Sequence, residues 1–179
     1  MASPFRTAAE LLNQYAEYHR DRRNIISHFV GVPMIVFAVG VLLARPAFML
    51  GGLALTPAWM VFAVVTLWYL TRGELLLGVS VSLGVGLLLL LGERVAQGTT
   101  TTWLAWGLSM FAAGWLIQFI GHWYEGRKPA FVDDIVGLVV APMFIVAEAM
   151  FMLGWKKPLL AEIERRAGPT VLRDMARIA

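Results

Sequence analysis

The chain has 179 residues, 59% hydrophobic and only 15% charged, whereas soluble domains carry about 25% charged residues. This composition argues against a soluble globule and excludes disorder, and the length suits one domain. The absence of Cys excludes disulfides and Cys-bound iron–sulfur clusters, and a formal net charge of +3 is too small to indicate nucleic acid as a partner.

The first predicted element is an amphipathic surface helix over about residues 7–23. Thr7 and Glu10 have the spacing of a capping box, and Leu11, Leu12 and Tyr15 follow at helical spacing. The first 23 residues contain acidic residues and four Arg residues and lack a leading apolar run. We therefore expect no cleavable signal peptide.

Long stretches without charged residues predict membrane-spanning helices. A spanning helix needs about 20 predominantly apolar residues, and a lipid-exposed backbone must satisfy its own hydrogen bonds by forming helix. The expected spans lie at about 25–44, 58–71, 75–92 and 103–121. The second of them begins after Thr56-Pro57 and is somewhat short.

The apolar segment 135–153 is expected to be a broken or fifth helix, because Pro142 lies near its middle. A plain fifth span would send the basic C-terminal residues to the side of the membrane that carries few basic residues. We favour a broken, re-entrant or interfacial helix pair that returns to the N-terminal side, followed by a C-terminal surface helix at 158–177. The predicted fold class is an all-α integral membrane helical bundle, with residues 1–179 in one domain.

Basic residues predict the orientation in the bilayer. With four spans, the side opposite the N-terminus receives Arg45 and Arg94, whereas the N-terminal side receives Arg6, Arg20, Arg22, Arg23, Arg72, Arg127 and Lys128. The positive-inside rule makes the N-terminal side cytoplasmic. A composition rich in Ala, Leu and Arg favours a bacterial inner membrane, and an endoplasmic reticulum location fits the same topology.

Only three His residues occur, and an even number of crossings brings His19, His28 and His122 to the N-terminal side. A single interfacial His is most simply a hydrogen-bonded imidazole, but three on one face make a metal site an equal alternative. His19 and His28 are nine residues apart, which on one straight helix places them on opposite sides. They can share a metal only if the chain bends between them, at 21–24 or at 31–33.

A residue able to form hydrogen bonds precedes each His by four positions. These residues are Tyr15, Asn24 and Gln118. Positions i and i+4 share a helix face, so each of the three could orient its imidazole.

Two acidic and two basic residues complete the set of candidate site residues. Glu125 follows His122 by three positions, and Glu148 lies inside the apolar segment, where an ionisable residue is by default a functional candidate. A break in that segment would bring Glu148 back towards His122. Arg127 and Lys128 are most simply positive-inside residues, and a role in binding a substrate carboxylate is the alternative.

Several blocks of sequence together carry a family resemblance. They are Tyr15-x-x-x-His19-x-x-x-x-Asn24-x-x-x-His28-x-x-Gly31-x-Pro33, Gln118-Phe119-x-Gly121-His122-x-x-Glu125-x-x-x-Pro129-Ala130 and Pro142-x-Phe144-x-x-x-Glu148. The chain resembles, from about residue 15 to 154, the small membrane-bound 2-hydroxy fatty acid dioxygenases. That family metabolises phytosphingosine to odd-numbered fatty acids.

The resemblance implies an Fe(II)-dependent enzyme that uses O2 to cleave the C1–C2 bond of a long-chain 2-hydroxy fatty acid. The implied products are CO2 and a fatty acid one carbon shorter, and no 2-oxoglutarate is required. The three His residues carry over as iron-site residues, and Glu125 and Glu148 as acids of the same motifs. Imidazole suits Fe(II), and three imidazoles leave coordination positions for the substrate and O2. We expect the acyl chain to lie among the apolar helices.

Other functions fit the same residues when the resemblance is set aside. One is a zinc-dependent membrane hydrolase that acts on a lipid. Another is a non-enzymatic transporter or assembly protein, in which the His residues lie at helix contacts. A bis-imidazole haem protein is a third. The chain has no HExxH or GxSxG motif, which removes the commonest zinc-protease and serine-nucleophile signatures.

Overall fold

The computed structural model describes residues 6–45 and 47–174. Within these ranges the chain forms seven α-helices and one β-hairpin. The elements are α1 (Ala8–Ala16), α2 (Arg22–Leu43), β1 (Phe48–Leu50), β2 (Leu53–Leu55), α3 (Pro57–Leu70), α4 (Leu75–Ala96), α5 (Thr100–Glu125), α6 (Gly137–Met152) and α7 (Lys157–Ala167). The predicted all-α bundle is confirmed, and the short antiparallel hairpin between α2 and α3 is an element that the sequence did not predict.

Three helices in the described part of the chain are long and apolar enough to cross a membrane. α2 and α4 have 22 residues each and α5 has 26, so at 1.5 Å per residue they extend over about 33 to 39 Å. This exceeds the hydrocarbon thickness of a bilayer, about 30 Å. α3 is apolar but has only 14 residues, and it is the short second segment of the prediction.

Close contacts at glycine hold α2 and α5 together in antiparallel directions. A Cβ added at Gly31 would lie 2.9 Å from the carbonyl oxygen of Gly114, and one added at Gly107 would lie 2.5 Å from Leu42. Small residues at a helix interface let two backbones approach closely, which is a common way to pack helices in membranes. The start of α2 therefore lies beside the end of α5.

α4 runs parallel to α2, so it begins on the same side of the bundle. Gly92, near the end of α4, lies against the backbone of Val41, near the end of α2. The N-terminal ends of α2 and α4 and the C-terminal end of α5 thus share one face, here called the N-terminal side. α1 belongs to this face as well, because the Ala8 amide donates to the Arg72 carbonyl just after α3, at 2.9 Å.

The predicted helix over 7–23 is interrupted by a turn. α1 begins with the expected capping box of Thr7 and Glu10 but ends at Ala16, and α2 begins at Arg22. The Asp21 side chain accepts a hydrogen bond from the Arg23 amide and so caps the new helix. The chain bends over residues 17–21, and α2 continues without a break through the second expected bend at 31–33.

α6 does not break at Pro142. The helix runs from Gly137 to Met152 with this proline inside it, because proline removes only one intrahelical donor and helices in apolar surroundings tolerate that loss. The break follows the helix instead, where Gly154 has a φ of 79° that ends it, and α7 leaves at 115° to α6.

Both ends of α6 contact the N-terminal side of the bundle. Near its beginning, the Val139 carbonyl accepts a hydrogen bond from the Tyr69 hydroxyl at 2.7 Å. Just after its end, Lys156 forms an ion pair with Glu74, which precedes α4. α6 therefore lies across this side and does not traverse the bundle.

α7 and the segment after it complete the cover on the N-terminal side. The helix packs on α1, where the Asn13 side-chain amide donates to Glu162 at 3.4 Å. It ends at Ala167, earlier than predicted, because Gly168 has a φ of 86°. Residues 169–174, here called the C-terminal strap, continue without helix, and positions 175–177 of the predicted helix lie outside the described residues.

The α2–α5 contact gives a direct test of this packing. A methyl group at Gly121 would overlap the Ser27 hydroxyl oxygen and lie 2.6 Å from the Asn24 amide oxygen. We expect Gly121→Ala to lower the free energy of unfolding by about 1–3 kcal/mol, as overpacking does, measured as a lower thermal midpoint in detergent micelles. The control is Gly84→Ala, because a Cβ there has no neighbour within 4 Å. Equal midpoints for the two variants would contradict the packing.

Candidate metal centre

The three His residues of the chain meet on the N-terminal side of the bundle. His19 lies in the turn after α1, His28 lies near the start of α2, and His122 lies in the last turn of α5. Their potential ligand atoms all lie within 4.8 Å of one another. The side chains are buried, with exposed fractions of 0%, 2% and 6%. The antiparallel packing of α2 against α5 is what brings the distant His122 to this place.

Backbone carbonyls determine which nitrogen of two rings carries the hydrogen. Nδ1 of His19 lies 2.7 Å from the Tyr15 carbonyl oxygen, and Nδ1 of His28 lies 2.9 Å from the Asn24 carbonyl oxygen. A carbonyl only accepts, so each Nδ1 carries the N–H and donates it. A neutral imidazole has a single N–H, and each Nε2 is therefore a bare acceptor.

The two bare nitrogens face each other at close range. Nε2 of His19 lies 3.0 Å from Nε2 of His28. Two lone pairs at this separation repel unless a cation lies between them. Zinc–imidazole bonds measure about 2.0–2.1 Å, so two such ligands at a right angle would be separated by about 2.9 Å. The observed distance fits a pair of adjacent metal ligands.

His122 offers the third nitrogen of the set. Its Nδ1 atom is buried and has no hydrogen-bond partner among the described residues. A buried polar atom without a partner is costly, and a metal ion would satisfy it. Three neutral imidazoles suit divalent iron or zinc, and the group of potential ligands in the described chain contains no carboxylate.

Burial keeps the rings in the form that binds metal. Desolvation, together with the neighbouring His28 and His122, lowers the pKa of His19 well below its ordinary value. The His19 ring is therefore neutral near pH 7, and its Nε2 lone pair is free to coordinate.

Tyr15 and Asn24 hold the His residues through their backbones, not through their side chains as the sequence suggested. The Tyr15 ring instead stacks on the His19 ring, with 4.0 Å between centroids and 5° between planes. The Asn24 side-chain amide donates to the Tyr18 carbonyl at 3.1 Å and to Glu125 at 3.2 Å.

Gln118 lies beside the His residues, in the wall of an apolar cavity that is described below. Its side chain is 6% exposed and lines the cavity together with His28 and His122. Its Oε1 atom has no hydrogen-bond partner in the described chain. The amide is therefore available to a bound molecule.

Glu125 holds the turn between α1 and α2. Its Oε2 atom accepts the backbone N–H groups of Arg20, at 2.9 Å, and of Asp21, at 2.7 Å, besides the Asn24 amide. Its Oε1 atom accepts from the Arg173 guanidinium at 2.6 Å. Both oxygens of this fully buried carboxylate are thus occupied by donors, and Glu125 is not one of the grouped potential metal ligands.

Glu148 acts on the same turn from the other side. It forms a buried ion pair with Arg20 at 3.1 Å, and the Nε atom of Arg20 donates to the His19 carbonyl at 2.9 Å. Because Pro142 does not break α6, Glu148 reaches this position from a continuous helix that lies across the N-terminal side.

Arg127 and Lys128 lie outside the cavity. The Arg127 guanidinium donates to the Glu17 carbonyl at 2.8 Å, and Lys128 forms an exposed ion pair with Asp133 at 2.6 Å. Neither residue lines the cavity.

Arg20 and the C-terminal strap also hold the turn between α1 and α2, although no sequence pattern predicts a site role for either. Val171 forms a short parallel bridge with the turn: its amide donates to the Arg20 carbonyl at 2.9 Å, and its carbonyl accepts from Arg22 at 2.8 Å. The Arg173 amide donates to the Asp21 carboxylate at 2.9 Å. The proximity of Arg20 to His19 was one available signal, but no pattern marks Arg173.

The cavity below the His residues is large and apolar, with a volume of about 350 Å³. It extends along α2 from His28 to Leu43, which at 1.5 Å per residue is about 22 Å. Its walls include Val32, Val36, Val39 and Leu89. Such a shape can take an extended hydrocarbon chain whose polar end lies beside the imidazoles.

The ion pair between Arg173 and Glu125 joins the C-terminal strap to the turn that carries His19. We therefore expect the strap to support metal binding. We expect Arg173→Ala to weaken metal binding about 10–100-fold, as loss of an outer hydrogen-bonding partner does, measured by titration calorimetry. Arg173→Lys should restore part of the affinity. Arg165→Ala removes the same charge from the exposed face of α7 and serves as the control. An unchanged affinity in Arg173→Ala would show that the strap does not support the site.

Comparison with known proteins identifies the family of this chain. A family model described as "2-hydroxy-palmitic acid dioxygenase Mpo1-like" matches residues 5–153, a range that includes all three His residues. The chain is 35% identical over 157 residues to the 2-hydroxy-palmitic acid dioxygenase MPO1 of Saccharomyces cerevisiae (strain ATCC 204508 / S288c), which covers 86% of this chain and 85% of that protein. No solved structure matches the chain. The chain thus belongs to the Mpo1-like family.

Proposed function

We propose that this chain is an Fe(II)-dependent dioxygenase that cleaves the C1–C2 bond of long-chain 2-hydroxy fatty acids. The observation that carries the proposal is the group of three buried imidazoles at one end of an apolar cavity. The name of the yeast relative supports the substrate class, because that protein is a 2-hydroxy-palmitic acid dioxygenase.

The proposed reaction balances without a further reductant. A 2-hydroxy acid, R–CH(OH)–COOH, reacts with O2 to give R–COOH, CO2 and H2O. The C1–C2 bond breaks, the hydroxyl-bearing carbon is oxidised to a carboxyl group, C1 leaves as CO2, and O2 accepts the four electrons. Fe(II), when bound, supplies O2 activation and binding of the substrate hydroxyl and carboxylate.

His19, His28 and His122 would hold the iron as neutral ligands. The cavity lining contains no Asp or Glu residue, so the substrate carboxylate would be the negative group nearest to the iron. This favours a substrate with an acid next to its hydroxyl over a simple alcohol.

Tyr15 and Gln118 are the polar cavity residues that we assign to the substrate head group. Burial raises the pKa of Tyr15 well above its ordinary value, so its hydroxyl stays protonated and can donate to a carboxylate. The free Oε1 atom of Gln118 can accept the 2-hydroxyl hydrogen. Asn24, Glu125 and Glu148 have a different role and position the turn and helix that carry the imidazoles.

The cavity wall supports a preference for long acyl chains. Each methylene moved from water into an apolar environment contributes about 0.8 kcal/mol, so chain length adds directly to affinity. The cavity also keeps water away from the reacting carbon atoms.

The position of the cavity between membrane helices also supports a membrane location for the reaction. An acyl chain that lies between membrane helices places its head group at the interface, where the His residues lie. We assign the site to the cytoplasmic side, because the N-terminal side carries most of the basic residues, and to a bacterial inner membrane, because the chain is rich in Ala, Leu and Arg.

The metal assignment predicts the behaviour of three variants. His19→Ala, His28→Ala and His122→Ala should each lose iron, measured by elemental analysis of protein purified in detergent, while the helical circular dichroism is retained. A variant that keeps full iron occupancy would remove that residue from the ligand set.

The activity is tested with the purified, iron-loaded protein and 2-hydroxypalmitic acid. We expect one O2 consumed and one CO2 released for each pentadecanoic acid formed, measured with an oxygen electrode and by mass spectrometry. The control substrate is palmitic acid, which lacks the hydroxyl and should not react. Bound zinc with O2-independent hydrolysis of a lipid would instead support the hydrolase alternative, since three His residues also suit zinc.

A further inference from the structure

We propose that the fatty acid enters and leaves the cavity sideways from the bilayer, through a slot between α3 and α5. This inference rests on the proposed function, because it concerns the route of that substrate to the same site. It assigns a role to cavity residues that lie away from the imidazoles.

The end of the cavity that is nearest to water is covered. Phe144 of α6 is fully buried and packs on the Tyr15 ring at 5.0 Å and on the His19 ring at 5.4 Å. α1, α6 and the C-terminal strap lie over the imidazoles, whose exposed fractions are at most 6%. In residues 6–45 and 47–174, these elements leave the His residues without an open face towards water.

The side of the cavity between α3 and α5, in contrast, is open to the outer surface. Val61 of α3 lines the cavity and is 49% exposed, and Phe111 of α5 lines it and is 38% exposed. Leu138, at the start of α6, also lines the cavity and is 43% exposed, whereas Val32 of α2 and Leu89 of α4 are buried. A residue that lines a cavity and is also exposed on the outer surface marks the rim of an opening, so the opening lies on the lipid-facing side.

The packing of the bundle explains why this side is open. α3 packs on α4, where a Cβ at Gly78 would lie 2.7 Å from the Tyr69 carbonyl oxygen. α5 packs on α2 through its own glycines, such as Gly114. Each helix is held by a different neighbour, so α3 and α5 form the two edges of the slot.

A sideways route avoids exposure of the acyl chain to water. The cavity follows α2, so a chain inside it lies nearly parallel to the chains of the surrounding lipids. A substrate that moves through the slot keeps its methylenes in apolar surroundings, whereas entry from water would expose each of them at a free-energy cost. The head group stays at the level of the interface throughout.

One aromatic contact borders the cavity near the head-group level. Trp115 of α5 meets Phe131 edge to face, with 4.9 Å between ring centroids, and both residues line the cavity. Gln118 lies one turn further along α5. Phe131 belongs to the connection between α5 and α6, so movement of this connection would separate the two rings. We assign this pair as the gate through which the head group passes.

A reversible cross-link across the gate tests the route. The chain contains no Cys, so Trp115→Cys/Phe131→Cys provides two thiols and no others. After reaction with a short bis-maleimide that contains a cleavable disulfide, we expect loss of 2-hydroxypalmitic acid turnover, with activity returning when the linker is reduced. Iron content, measured on the same sample, should not change. Full turnover by the cross-linked protein would overturn the proposal.

A second pair of variants tests the slot without chemical modification. Val61→Trp narrows the opening and should lower kcat/KM for 2-hydroxypalmitic acid by about tenfold or more, with iron content unchanged. Val64→Trp is the control, because Val64 lies on the same helix, is 70% exposed and does not line the cavity. Equal kcat/KM values in the two variants would contradict the route. Failure of the proposed function would be distinct, because the unmodified protein itself would then not shorten the substrate.

Discussion

The site depends on the close approach of two imidazole nitrogens, the Nε2 atoms of His19 and His28. Neither atom carries a hydrogen, because the N–H of each ring is on Nδ1. The carbonyls of Tyr15 and Asn24 fix the N–H on Nδ1 of His19 and His28, so that two lone pairs face each other at 3.0 Å. A cation converts this repulsion into binding. If this group holds the proposed iron, metal affinity and the stability of the turn between α1 and α2 are coupled, as in other sites where binding energy is also folding energy.

The charged side chains that hold the turn between α1 and α2 lie away from the cavity. Arg20, Glu148, Glu125 and Arg173 pair with one another and with the backbone on the far side of the imidazoles. The cavity side is mainly apolar, and its polar side chains include those of Tyr15, Tyr69, Gln118, His28 and His122. The proposed substrate, an anionic head group with a long chain, matches both parts of this environment: its carboxylate would offset the charge of the proposed iron, and its methylenes would fill the apolar volume.

The sequence predicted those features that depend on local patterns. Stretches without charge located the long helices, and the parity of crossings put three His residues on one side. The roles of Tyr15 and Asn24 were assigned to side chains, although a carbonyl four residues earlier is available on any helix. The hydrogen bond between the Arg173 amide and Asp21 was beyond prediction, because it joins residues 152 positions apart through a backbone donor. The break expected at Pro142 does not occur, because the loss of one hydrogen-bond donor does not outweigh the packing of α6.

X-ray absorption at the iron edge of the purified protein tests the central claim most directly. We expect the unmodified protein to show outer-shell scattering from three imidazole rings around a single Fe(II), and we expect the three His→Ala variants, which lose the iron, to give no comparable iron-edge signal. A spectrum without imidazole scattering, or one unchanged when a His is replaced, would contradict the shared site. The same measurement would then locate iron away from the turn, and the cavity would lose its reactive end.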